Sequence, residues 1–340
     1  MPSLLLIPLL IRSLLKISSS HALHFFYLAS PDLLFGADAS PSRRNVVSVA
    51  MEYPELAKKG ILMRKFGQEI IKMIAGKRIH GISATPGGVH KKINAQERDF
   101  FLNGKEIPSI DAMIEWSKEI IEFMKVYHSK NQEWFNQFAA FPSGHLGLVN
   151  KKTGDLELYD GYLRAIDASG KITLEDIHSD AYQNYFYEGV EKWSYLKFPY
   201  LKHLGRERGW NRVGPLARMN VCEGISTPLA AFERLSFLNA TMGKTNNASM
   251  YSHWARLIEL LHCAELMKDL LEDDDILGND LVRRGIRRNE GIGIIEAPRG
   301  TLIHHYQVDE KDRITRCNLI VSTTHNNEAM NQAVKWVANE

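Results

Sequence analysis

The sequence predicts a mainly α chain of the α+β class, a helical bundle with small peripheral β-sheets. Three observations predict it. Apolar residues recur at helical spacing over 56–75, 109–127 and 254–271. Runs of β-prone residues bounded by turn residues are concentrated in two places, 141–180 and 291–321. Hydrophobic residues make up 44% and charged residues 24% of the 340 residues, which suits a protein that builds a core. The length is read as one large domain, 1–340, with a β-rich insert over 141–180.

The elements follow in order. Leu4 to Leu15 is rich in leucine and isoleucine but too short to span a membrane, and Pro8 and Arg12 interrupt it. No basic residue precedes the apolar run, where a signal peptide carries them; Arg12 and Lys16 come later. The stretch reads as the truncated or re-started first part of a core helix, a targeting peptide being the alternative. It continues through Ser20 to Leu28, where His21, His24 and Leu28 share a face. Two histidines three apart could ligate a metal, but no third ligand is near in sequence, so a partly buried, hydrogen-bonded pair is the preferred reading. Pro31 biases Ser30 away from helix and is expected to end the segment, leaving Asp32 at a helix end.

Leu62, Phe66, Ile70, Met73 and Ile74 form the stripe of the second long helix, with Gly76 as its C-cap. Pro86-Gly87-Gly88 marks a tight loop without the lysine and spacing of a phosphate-binding loop. Ser109 is an N-cap for a helix whose Met113, Trp116, Ile120, Phe123, Met124 and Tyr127 line one face as core. The β-rich insert runs from Phe141 to near Asp180. An aromatic segment, Trp193 to Tyr200, follows. Leu257, Leu260, Leu261, Ala264, Met267 and Leu271 define the last long helix, and Cys263 among them reads as a small buried hydrophobe. Glu272 to Asp275 lacks the alternating oxygen ligands and central glycine of a calcium loop.

Charge and cysteine usage exclude several function classes. A net charge of +2 gives no reason to expect nucleic acid or a membrane surface as partner. Cys222, Cys263 and Cys317 lie far apart, with no CxxC, which argues against a disulfide framework and a self-contained zinc site and suits a reducing cytoplasm.

The stretch around which the chain is organised is Glu296-Ala297-Pro298-Arg299-Gly300-Thr301-Leu302-Ile303-His304-His305-Tyr306. It reads as a strand, a sharp turn carrying one arginine, and a returning strand. Pro298 fixes its own φ, and Gly300 permits positive φ or close approach. Arg299 between them is a permanently charged fork of donors, suited to an anion or a polar inorganic ligand. A structural arginine paired with a nearby acid is the alternative.

This motif resembles one near the C-terminal side of nickel–iron hydrogenase large subunits, closest to the soluble cytoplasmic branch that couples to nicotinamide, deazaflavin or heterodisulfide partners. Other runs extend the resemblance. They are Ser20-His21-Ala22-Leu23-His24-Phe25 leading to Asp32, Gly76 through His80 to Pro86-Gly87-Gly88-Val89, Trp193-Ser194-Tyr195, Arg212 to Asn220, and Asn318 to Asn327. The resemblance implies a large-subunit helical bundle and the reversible heterolytic oxidation of dihydrogen. Electrons would pass to an iron–sulfur small subunit, from which a diaphorase, deazaflavin-reducing or heterodisulfide-reducing module could receive them. It implies that Asp32 and Arg299 form an acid–base pair beside the metals, that Pro298 belongs to their surroundings, and that Thr323 hydrogen-bonds a cyanide on iron, a turn-capping threonine being the alternative.

One departure matters. The family holds nickel and an iron carrying carbonyl and cyanide through cysteines from one CxxC near each end. The resemblance here runs from about Ile11 to about Val334, and neither pair is present. The expectation is therefore a large-subunit fragment, truncated at both ends, that binds no metal itself and is inactive alone. The alternative is a metal-free paralogue acting as a scaffold or interaction subunit.

Overall fold

A computed structural model describes residues 7–79 and 81–339, except the side chains of residues 7–9 and 12. His80, quoted above for the loop motif, lies outside the described residues, as does the start of the leucine-rich run. The first elements are α1 (Ile7–Leu23), a π-helix (His24–Ala29), α2 (Ser30–Phe35), α3 (Val46–Glu52), α4 (Pro54–Ala75), β1 (Ala84–Thr85), β2 (Gly88–Val89), α5 (Ala95–Asn103), α6 (Ile110–Lys130) and α7 (Gln132–Gln137). Next come β3 (Gly144–Val149), β4 (Tyr162–Ile166), β5 (Ile172–Ile177), α8 (Tyr182–Tyr185), β6 (Phe186–Glu191), β7 (Ser194–Leu201), α9 (Gly205–Gly209), β8 (Asn211–Arg212), α10 (Pro215–Val221), α11 (Pro228–Ala240) and α12 (Tyr251–Glu272). The last are β9 (Glu290–Ala297), β10 (Gly300–Val308), β11 (Ile314–Ile320) and α13 (Ser322–Asn339). The mainly α architecture with small sheets is the one the apolar periodicity predicts. The chain divides into two compact units, residues 1–122 with 257–285, and 123–256 with 286–340.

In the first unit α1 packs along α4. Met63, Phe66, Ile70 and Ile74 of α4 are buried, as are Ile11, Leu14, Leu15 and Ile17 of α1. Two glycines set the approach: a Cβ at Gly60 would collide with Phe26, and one at Gly67 with Ser19. The expected caps are present. Gly76 ends α4 with φ 73°, and the Ser109 hydroxyl accepts from Ala112 N at 3.2 Å at the start of α6. β1 and β2 pair around the Pro86-Gly87 loop. Cys263 is fully buried on α12.

Pro31 does not end its helix, contrary to the sequence expectation. The π-helix before it takes up one extra residue, with Ser30 N–H bonding Phe25 O. The Ser30 hydroxyl donates to Phe26 O at 2.6 Å. Pro31 thereby falls in the first turn of α2, where its missing N–H costs little. The helix runs on to Phe35 and stops at Gly36 (φ 86°).

Among the described residues the second unit holds three of four sheets. β5, β4 and β3 run antiparallel, and the short β8 adds to β3 in parallel. β3, β4 and β5 lie between Gly144 and Ile177, and the strand that completes their sheet, β8, follows more than thirty residues later. β9, β10 and β11 form a meander, and β6 with β7 a separate ribbon. β3 and β4 are buried along nearly their whole length, at Leu146, Leu148, Leu163 and Ala165. One core joins these residues to Val213, Ile303 and Ile320, so the sheet and the meander share apolar packing.

Candidate functional site

The turn between β9 and β10 is fixed from several directions. Glu296 and Arg218 form an ion pair at 2.7 Å with both side chains fully buried. The other Glu296 oxygen accepts from Leu148 N at 3.0 Å and from the Thr301 hydroxyl at 2.8 Å. A buried carboxylate is tolerable only when paired and hydrogen-bonded in this way. The turn carbonyls are held as well. Arg218 donates to Ala297 O at 3.0 Å, Arg256 to Pro298 O at 3.4 Å, and the Ser322 hydroxyl to Gly300 O at 3.0 Å.

Gly300 has φ 136°, and a Cβ there would overlap Val213. The turn therefore seats directly on the Val213-Gly214 backbone. Asn326 pins that backbone in turn, accepting from Val213 N at 3.0 Å and donating to Val213 O at 3.3 Å. Three runs remote in sequence, Arg212 to Asn220, Glu296 to Thr301 and Ser322 to Asn327, thus meet at one place.

Arg299 occupies the tip. It is exposed, and among the described residues its side chain has no hydrogen-bond or ion-pair partner. The acid the sequence offers nearby, Glu296, is committed to Arg218 instead. Arg299 lines a cavity of about 310 Å³ together with Arg212 and Arg256, and with Phe141, Leu216, Met330 and Ala333 among its apolar walls. Arg212 is 8% exposed and lies over the Phe141 ring, 3.9 Å from its centroid, while donating to Phe141 O at 2.9 Å. Burial lowers its pKa to about 10. His145 is held neutral, its pKa lowered to about 3 by burial first and Arg212 second.

The other predicted site residues stand as follows. Pro298 is half-buried in the turn. Thr323 is exposed in the first turn of α13, one residue after the Ser322 that grips Gly300. Asp32 lies in the first unit, with its side chain 55% exposed and paired with Arg44 at 3.4 Å. His21, read as one of a hydrogen-bonded pair, is fully buried and bonds Glu259 at 2.8 Å. Arg212, Arg218, Arg256 and Asn326 had no assigned role in the sequence. Arg218 carried a signal: a charge among Pro215, Leu216, Ala217 and Met219 demands a buried partner.

Residues able to hold a soft metal are scarce. Cys222 and Cys263 are buried and Cys317 is exposed. None of the three lines the arginine cavity. Among the described residues no group of three His, Cys, Asp or Glu side chains could hold a metal ion. A thiolate-bound nickel–iron centre does not fit these residues by themselves.

Comparison with known proteins places this arrangement in a class. The family model for nickel-dependent hydrogenase matches residues 160–340. The chain belongs to the nickel-dependent hydrogenase family, on its large-subunit side. It is 44% identical over 325 residues to the NAD-reducing hydrogenase HoxS subunit beta of Cupriavidus necator, covering 94% of this chain and 66% of that one. It is 40% identical over 333 residues to a subunit of the vhu F420-non-reducing hydrogenase of Methanocaldococcus jannaschii, covering 96% of this chain and 77% of the relative. An NAD+-reducing [NiFe]-hydrogenase crystal structure in the H2-reduced state superposes with a TM-score of 0.94 at 45% identity, over 99% of this chain and 74% of that one. A [NiFeSe]-hydrogenase from Dm. baculatum shares the fold, with a TM-score of 0.68 at 17% identity, over 95% of this chain and 73% of that one. The chain spans about two-thirds of the HoxS beta length. Among the described residues no helix is long and apolar enough to cross a membrane.

Proposed function

We propose that this chain forms the body of a soluble nickel–iron hydrogenase large subunit. In the family's reaction dihydrogen is split heterolytically and reversibly, and electrons leave through an iron–sulfur small subunit. The metals supply the hydride chemistry when cysteine ligands hold them. This chain's residues supply surroundings. Arg299 presents a fixed positive charge and several donors on a turn that cannot relax, the kind of preorganised electrostatics that stabilises developing charge. Pro298 restricts the turn, the Asp32 carboxylate is proposed as an acid–base group of the family's reaction, and the Thr323 hydroxyl is the proposed donor to an iron-bound ligand.

The observation that carries the reading is the turn itself. Arg218, Arg256 and Ser322 hold its carbonyls, while the Arg299 side chain has no internal partner among the described residues. A structural arginine would show the reverse. The scarcity of metal ligands supports a second, narrower statement, that the 340-residue chain alone does not assemble the metal centre.

The test joins this chain to the cysteine-bearing segments of the HoxS beta relative and co-expresses it with that enzyme's small subunit. The 340-residue chain alone is expected to hold far less than one nickel per chain and to reduce no viologen dye under hydrogen. The chimera is expected to take up nickel and reduce the dye, and Arg299→Lys in it to lower the rate by about 10²–10³ without loss of nickel. A nickel-loaded chimera indifferent to Arg299→Lys overturns the role of Arg299. A folded chimera that excludes nickel favours the metal-free scaffold instead.

A further inference from the structure

A second cavity of the same unit, of about 340 Å³, lies where β7, α9 and α13 meet, and it shares no lining residue with the arginine cavity. Phe198 and Pro199 of β7, both buried, line it. So do two half-buried rings, Tyr200 and Trp210, and both are held in place. The Trp210 indole N–H donates to Glu207 O at 3.2 Å, and its ring lies against Phe141, 6.3 Å away. Tyr200 is backed by the Tyr187 ring at 5.4 Å. The charged groups on the cavity are one arginine and two carboxylates. Arg206 is engaged with Glu191, which lies outside the lining. Glu207 and Glu328 have no cation partner among the described residues. Glu328 accepts from the Gln332 amide at 2.7 Å, and Glu207 is exposed.

We infer that this cavity is a binding site for a small free organic cation whose head is a guanidinium. Ring faces attract a cation, and a carboxylate accepts its N–H bonds. A planar guanidinium does both at once, stacking on an indole or phenol ring while its edge donates in parallel to a carboxylate. An ammonium is a compact, strongly hydrated point charge without that fork, so the ring walls favour the guanidinium. Arg206 does not supply the missing charge, because Glu191 already pairs with it. A volume of about 340 Å³, with aromatic walls and a few convergent polar groups, is at the lower end of the range for small-molecule pockets, about 300–1,000 Å³. The space therefore takes the head and a short alkyl tail. The inference goes beyond hydrogen chemistry and stands without a metal centre.

The experiment is calorimetric titration of the 340-residue chain with butylguanidinium, with butylurea, its neutral analogue of the same shape, and with butylammonium. Butylguanidinium is expected to bind one per chain, and the other two at least about tenfold more weakly. Glu328→Gln keeps the shape of a half-buried side chain and removes its charge. It is expected to weaken butylguanidinium at least about fivefold, and adding Glu207→Gln is expected to abolish binding. Absence of butylguanidinium binding, or equal binding of butylurea or butylammonium, overturns the inference. So does a double variant that binds as tightly as the unaltered chain. Where the double variant fails to fold, Gln332→Lys decides. It places a cation on the cavity wall beside Glu328 and should hold or raise the melting temperature while abolishing butylguanidinium binding. A folded Gln332→Lys chain with that binding intact overturns the site.

Discussion

The two ends of the β9–β10–β11 meander carry similar residues and differ in almost everything else. At one end Glu296, Arg218 and Thr301 form a network with its ion pair wholly buried. At the other, Arg287 pairs with Asp312 and Arg313 with Asp309, with side-chain exposures from 27% to 79%. Both ends contain an arginine–carboxylate pair at 2.7–2.9 Å. Distance alone would rank them equal. Burial separates them, because water screens one end and must be wholly replaced at the other. The end that cannot be rehydrated is the one that presents Arg299.

The largest expected effect breaks that contrast directly. Glu296→Ala removes the carboxylate paired with the buried Arg218 and the acceptor for Leu148 N and Thr301. Losing one partner of such a pair costs about 3–5 kcal/mol. Chemical denaturation should show a midpoint shift of that size, and a shift below about 1 kcal/mol would place Glu296 with the surface pairs.

Next in size is a pH effect confined to the buried end. His325 is fully buried on α13, edge-on to Phe186 at 6.1 Å, and burial lowers its pKa to about 4. The unfolded chain, with an imidazole near 6.5, binds more protons between those values. The contribution is therefore intact above about pH 6.5 and is lost as pH falls toward 4, by up to about 3 kcal/mol. At the exposed end Asp309 is held below its usual range, chiefly by the Arg313 backbone N–H. Replacing His325 by phenylalanine should flatten part of the fall in melting temperature across that window. An unchanged slope would assign the fall to other buried imidazoles, among them His145 and His262.

The smallest effect sharpens the comparison from the exposed side. Arg287→Ala removes an ion pair with Asp312, whose side chain is 79% exposed, and should cost less than about 1 kcal/mol, less still in high salt. A larger loss, measured in the same denaturation assay, would show that the exposed end also supports the sheet.

Legibility in the sequence followed the range of the interaction. Helix α4, its Gly76 stop, the Ser109 cap and the bend between β9 and β10 are signalled by residues close together in sequence, and periodicity or turn chemistry exposes them. Pro31 misled because its effect depends on the register of the preceding turn, and a π-helix there leaves no mark in composition. Arg299 was visible from its neighbours Pro298 and Gly300. Arg212 and Arg256 were not, since their meaning comes from a cavity assembled from segments scattered between Phe141 and Ala333. Glu296 was readable as a motif letter but not as the partner of Arg218, 78 residues earlier.

The Ser322–Gly300 bond has a mechanical consequence. β11 passes into α13 through Val321 alone, and the first hydroxyl of that helix grips the carbonyl just after Arg299. Arg299 and Thr323 therefore ride on one clasped piece of backbone, spaced as by a ruler. A perturbation that displaces the guanidinium should carry the threonine with it, and a change to Ser322 should disturb both at once.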